Sequence, residues 1–200
     1  MPVPEPYAFA TVPPGPVTGA HVFRTKAGFA AILVRGATLC RVFLPVPDRS
    51  RLAEAFACSG VAPAPSDPPP AARPPIEAVV RYFAGEPIDP AALPLTFDPG
   101  PITEFSSQVY AMLRRIRRGS VTTYGDLAQL SGRAGAARAV GAAMSRNRFP
   151  LFVPCHRVLA HGGGLGGFSS PGGLDDKRAL LALEGLGGGA GGAGIRSSIE

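Results

Sequence analysis

Cysteine is scarce in this chain: three residues in 200. An odd, small number cannot make a disulfide framework, and a chain of this length builds a core without covalent staples. A reducing, cytoplasmic setting is therefore expected. The N-terminus lacks a basic segment followed by an apolar one, so no secretory signal is read there. No apolar run is long enough to span a bilayer, which argues against a membrane protein. Metal-ligand spacing is missing too. His21, Cys40 and Cys58 do not stand at the intervals of a zinc site, and no metal is expected.

Residues 1–102 carry no net charge, with eight Lys and Arg against eight Asp and Glu. Residues 103–184 carry eleven against five, so the whole excess of +6 falls in that stretch. A polyanion would be bound there through contacts to phosphates, although a solvated basic surface would leave the same imbalance.

Two hundred residues suit one large domain or two small ones. Residues 1–10 are read as a flexible N-terminus. Residues 20–46 read as strands: Phe29-Ala30-Ala31-Ile32-Leu33-Val34 is one apolar run, Thr38 to Leu44 another, with Arg35-Gly36 as the turn. Residues 61–75, rich in Pro and Ala, read as a linker or long loop. Ile76, Val79, Val80 and Phe83 recur at helical spacing and stop at Gly85. A Pro-punctuated connector over 86–102 is placed as the domain boundary. An N-terminal domain over 11–100 and a second domain over 101–185 result, with 186–200 as a disordered Gly-rich tail.

In the second half, Phe105, Val109, Met112, Leu113 and Ile116 share a helix face, with Arg114, Arg115, Arg117 and Arg118 mostly off it. Thr123 and Asp126 have capping-box spacing and start a short helix through Leu130. Ser131 to Gly135 reads as a turn and Ala136 to Arg146 as a second helix, the pattern of a helix-turn-helix. Leu151-Phe152-Val153 and Arg157-Val158-Leu159 are strand-like runs around Pro154-Cys155-His156. Asp175 is placed to cap a last helix through Glu184, stopped by Gly185.

Cys155 is the candidate nucleophile. A thiol reacts as thiolate, so it needs a base or a positive environment. His156 is adjacent and Arg157 follows. In an extended strand Cys155 and His156 would point to opposite faces, so either the backbone turns sharply there or a water carries the proton. Glu184 is an available carboxylate to orient the His.

Five segments in order carry a resemblance: Val121-Thr122-Thr123-Tyr124-Gly125-Asp126-Leu127-Ala128; Ala136 through Met144; Asn147; Pro154-Cys155-His156-Arg157-Val158; and Leu180-Leu181-Ala182-Leu183-Glu184-Gly185. Together they resemble the O6-alkylguanine-DNA alkyltransferases, also called methylated-DNA–protein-cysteine methyltransferases. The resemblance implies an α/β protein: a small N-terminal α/β domain with an antiparallel sheet, then a helical, winged-helix-like domain holding the helix-turn-helix. It implies that Cys155 takes the alkyl group irreversibly, that His156 activates it through a water, and that Glu184 holds His156. Asn147 would tie the recognition helix to the active-site loop. The Tyr124 hydroxyl would donate to guanine N3. Arg138 would fill the stack left by the flipped base, on a small-residue face made by Ala136, Ala137, Ala139 and Gly141. Val158 and Ser169 would read the base edge through backbone groups. Phe168 stands where many members carry Tyr, and the 168–173 loop is longer than in some. The partner implied is double-stranded DNA bearing O6-alkylguanine, met by a monomer without a cofactor. Three rivals stand beside this, one of them a cysteine hydrolase, which would need a substrate cleft and an oxyanion hole that no separate signal in the sequence marks. A non-catalytic sensor of alkylated DNA would lack the cysteine. A helix-turn-helix regulator would leave Pro154-Cys155-His156-Arg157 unexplained.

Overall fold

The computed structural model describes residues 15–57 and 67–187, without the side chains of 53–55 and 57. Expectations for residues 1–10, for Cys58, for 61–66 and for 188–200 lie outside the described residues. Among those described, the chain divides into two compact units: residues 15–90 with 95–100, and residues 91–94 with 101–187. No helix in either is long and apolar enough to cross a membrane.

The first unit is built on an antiparallel meander of β1 (Gly19–Thr25), β2 (Gly28–Arg35) and β3 (Thr38–Val46). The turn at Arg35-Gly36 works because Gly36 takes φ +57°, which a side chain would resist. Every residue from Ala30 to Val34 is buried. Successive strand residues face opposite ways, so both faces of β2 are covered. One cover is α1 (Arg49–Ala57), whose Leu52 and Phe56 join Ala20, Ala31, Leu33 and Cys40 in one apolar cluster. The sequence reading passed over this helix, although Asp48 accepts from Ser50 N at 2.9 Å at its start.

The helix α2 (Arg73–Phe83) packs against β1. It begins earlier than expected, because prolines in a first turn forgo N–H groups that have no partner there anyway. Its buried stripe is Pro75, Ala78, Val79 and Tyr82, rotated from the expected Ile76/Val79/Val80/Phe83 face by the small Ala78 and the large Tyr82. The connector also holds an unforeseen element. Residues β4 (Thr96–Phe97) pair parallel with β3, and Phe97 is fully buried.

The second unit holds α3 (Glu104–Arg114), α4 (Tyr124–Leu130), α5 (Ala137–Ser145) and α6 (Gly173–Leu183), with β5 (Thr122–Thr123) and β6 (Val158–Leu159) as a short parallel pair. Thr103 caps α3 and Thr123 caps α4, each accepting from the N–H three residues on. The α4–turn–α5 segment is the expected helix-turn-helix. Tyr110 of α3 donates to Ala143 O of α5 at 2.8 Å, locking those two helices inside the core.

Three local expectations fail for physical reasons. Arg114 is buried, not on the outer face, and its guanidinium donates to Leu93 O at 2.7 Å. Leu151-Phe152-Val153 is no strand but a buried turn with Leu151 at φ +74°, an outlying value for a residue with a side chain. Asn147 imposes that turn: its Oδ1 accepts from Phe149 N at 2.9 Å and its Nδ2 donates to Val153 O at 2.8 Å. Asp175 does not cap α6. Asp176 reaches back to Gly172 N at 3.0 Å, while Asp175 pairs with Arg178.

Candidate active site

Of the two geometries open at Cys155, the backbone takes the sharp turn. Residues Cys155–Arg157 form one turn of 3-10 helix after Pro154, closed by Arg157 N donating to Pro154 O at 2.9 Å. Three residues per turn splay three side chains about 120° apart. Cys155 is half-buried, while His156 and Arg157 turn inward and are fully buried.

Glu184, one residue beyond α6, ends between them. Its Oε1 lies 2.8 Å from His156 Nε2 and 2.8 Å from Arg157 Nη2, and its Oε2 accepts from Arg157 Nε at 2.9 Å and from Gly119 N at 3.2 Å. Arg157 also donates to Ile116 O at 2.6 Å. Burial by itself would push the Glu184 carboxyl up. The His156 and Arg157 hydrogen bonds and charges outweigh it and hold the group well below the ordinary carboxylate range. Ionised Glu184 can only accept, so His156 carries its proton on Nε2, and Nδ1 is the basic nitrogen. Burial also lowers the His156 pKa, so the ring is neutral at rest.

The cation near the thiol is not the one expected. The Arg157 charge is taken up by Glu184. Lys177, fully buried, stands near Cys155 instead and donates to Val158 O at 2.6 Å and to Leu165 O. Burial pushes the Cys155 thiol up, and the Asn147 hydrogen bond, the Lys177 charge and backbone N–H groups oppose it. Burial brings Lys177 itself down to about 8. A signal for Lys177 was present. The chain has only two lysines, and residues 177, 180, 181 and 184 share one helix face with Glu184 at its end.

Cys155 opens into a cavity of about 610 Å³. Tyr124, Phe168 and Ser169 line it, as do Ala137, Arg138 and Gly141 of α5. The Tyr124 hydroxyl donates to Gly167 O at 3.4 Å, and a Cβ on Gly166 would lie 2.9 Å from its ring. Burial and the nearby Cys155 raise the Tyr124 pKa, so this hydroxyl stays a donor. Asn147, His156 and Glu184 stand behind the wall. Ala136, Ala139 and Val158 do not line the cavity; Val158 N–H is spent on Cys155 O.

Along α5, Arg138, Ala139, Ala142, Ser145 and Arg146 are exposed, while Val140, Ala143 and Met144 face the core. Of the small residues expected on this face, Ala139 is exposed, and Ala136, Ala137 and Gly141 are half-buried. The basic surface is smaller than composition implies. Arg114, Arg157, Lys177 and Glu184 are buried, which leaves eight cations against four carboxylates outside in residues 103–184.

Fold and site together define a helix-turn-helix protein with a cysteine-bearing cavity on the flank of its second helix. A family model described as 6-O-methylguanine DNA methyltransferase, DNA binding domain, matches residues 104–186. The methylated-DNA–protein-cysteine methyltransferase of Thermococcus kodakarensis is 43% identical over 111 residues, 55% of this chain and 60% of that one. The protein of the same name from Methanopyrus kandleri is 43% identical over 105 residues, 52% of this chain and 74% of that one. Among solved structures, Mycobacterium tuberculosis OGT in complex with DNA shares 30% identity with a TM-score of 0.63, over 84% of this chain and 92% of that one. This chain belongs to the methylated-DNA–protein-cysteine methyltransferase family. Its match to the Thermococcus protein spans less than two thirds of that relative's length.

Proposed function

We propose that this protein takes an alkyl group from O6 of guanine in double-stranded DNA onto Cys155, once and irreversibly. The observation that carries the reading is the buried Glu184–His156 pair directly behind a cavity-lining Cys155, beside an exposed small-residue helix face. Family membership supports it.

At rest the thiol is protonated and His156 neutral. The thiol gives its proton to His156 Nδ1 through a bridging water. Sγ then attacks the alkyl carbon, a C–S bond forms, and the C–O6 bond breaks with its electron pair on O6. The Tyr124 hydroxyl donates to guanine N3 and eases departure of the anion. The leaving base takes up one proton, which balances the one lost by the thiol. The product is a thioether that nothing in the site can cleave, so each molecule acts once and no cofactor enters.

In a stacked pair, O6 cannot reach Cys155, so the nucleotide is extruded at a cost of a few kcal/mol. Arg138, on α5 at the cavity rim, has the flat guanidinium and long stem needed to occupy the vacated stack. The protein acts as a monomer in a reducing cytoplasm, where Cys155 remains a thiol.

Intact-protein mass spectrometry after incubation with an O6-methylguanine duplex tests this. One methyl mass should appear, mapped to Cys155, and the Cys155→Ala protein should gain none. Transfer to that variant, or a label on Cys40 or Cys58, overturns the assignment.

A further inference from the structure

Helix α5 separates two concavities that share no lining residue. Arg138, Gly141 and Ser145 face the Cys155 cavity. Ala139, Ala142 and Arg146, each one residue further and so about 100° round the helix, face a wider groove of about 1250 Å³. Its other walls come from α3 and the α4–α5 turn. The charged residues lining it are Arg115, Arg133 and Arg146 against one acid, Glu104, which already accepts from Gln108 at 3.4 Å. Arg133 is exposed and held with its guanidinium 5.1 Å over the Phe105 ring. Arg146 is exposed as well, and among the described residues neither of these two is ion-paired. Leu130, 38% exposed, adds apolar surface to the wall.

We propose that this groove seats the sugar-phosphate backbone of the strand opposite the alkylated one, with Arg133 and Arg146 meeting its phosphates. The inference rests on the alkyl-transfer reading and deepens it. A nucleotide can enter the Cys155 cavity only from a strand that runs along that flank of α5. With the exposed face of α5 seated in a duplex groove, the second backbone must run along the other flank. There the surface is concave, cationic and otherwise unfilled. Guanidinium groups suit phosphate oxygens by charge and by their forked donors. A deoxyribose would lie on Leu130.

Anisotropy titrations across a salt series test this with the parent protein and a duplex carrying one O6-methylguanine. Neutral methylphosphonates across the lesion, on the complementary strand only, should weaken binding and flatten the log–log salt slope by about 0.9 for each phosphate the groove contacts. An Arg133→Ala/Arg146→Ala protein, shown folded by circular dichroism and a cooperative melt, should have a slope about 2 smaller. It should be indifferent to the same methylphosphonates. Arg133→Lys/Arg146→Lys should keep most of the slope. A parent slope unchanged by complementary-strand methylphosphonates overturns the proposal, as does a loss confined to those on the damaged strand. The same mixtures are assayed for methyl on Cys155. Transfer with an unchanged slope sinks the groove alone. Lack of transfer sinks the alkyl-transfer reading, while the slope still judges the groove.

Discussion

Replacing Glu184 by Gln keeps shape and size but removes one negative charge from a site where the Glu184, His156 and Arg157 side chains are wholly inaccessible to solvent. The amide can accept from Arg157 or from His156 but cannot neutralise the guanidinium. Breaking one side of a buried ion pair costs about 3–5 kcal/mol, because the remaining charge is left uncompensated. For a protein of this size each kcal/mol lowers the melting midpoint by about 2–4 °C, so the expected fall is roughly 6–20 °C. Arg157→Met alone should also destabilise. The double variant Glu184→Gln/Arg157→Met should lose less than the two single losses together, since no buried charge is stranded. The acid limb of stability adds a signed check. The folded-state pKa of Glu184 is depressed, so its contribution is complete above the unfolded value near 4.5 and is lost as pH falls through the folded value. His156 is depressed as well: below about 6.5 the unfolded chain takes up its proton first, and stability falls with pH. The parent should therefore weaken progressively from pH 7 downward, and Glu184→Gln should lack the lower part of that decline. A midpoint for Glu184→Gln within 2 °C of the parent's, or strictly additive losses, would refute the ion-pair reasoning.

Two further outcomes are expected. Lys177 loses its proton near pH 8, which withdraws the cation that assists Cys155. The rate of reaction with free O6-benzylguanine should rise with pH up to about 8 and then bend over, and Lys177→Met should be slower below pH 8 and lack the bend. An identical bend in both proteins would remove Lys177 from the site's electrostatics. Arg138→Ala should slow methyl transfer from duplex DNA far more than reaction with the free base, because only the duplex requires extrusion. Equal losses on both substrates, in single-turnover assays, would show Arg138 shaping the cavity instead of holding the flipped state.

The sequence by itself determined whatever rests on near neighbours. Thr123 and Asp126 start α4, the Gly-containing turn separates it from α5, and Arg35-Gly36 turns β2 into β3. Each is a contest between a few local dihedrals and one or two hydrogen bonds, which a window of five residues contains. The ordered motif around Pro154-Cys155-His156-Arg157 was legible too, and with it the pairing of His156 with Glu184. Tertiary structure decided where charge is buried. Nothing within a few residues of Arg114 or Arg157 says that it lies inside, and the apolar face that Lys177 shares with Leu180 and Leu181 names no partner for its charge. Their partners are Leu93 O, Glu184, Ile116 O and the carbonyls of Val158 and Leu165, 12 to 41 residues away in sequence. The same holds for residues 149–153, whose apolar run reads as a strand. Two hydrogen bonds from Asn147 hold it in a turn and set Leu151 at a positive φ, and the buried site absorbs that strain. A side chain enters the core only if the assembled fold offers it partners, and those partners come from distant parts of the chain.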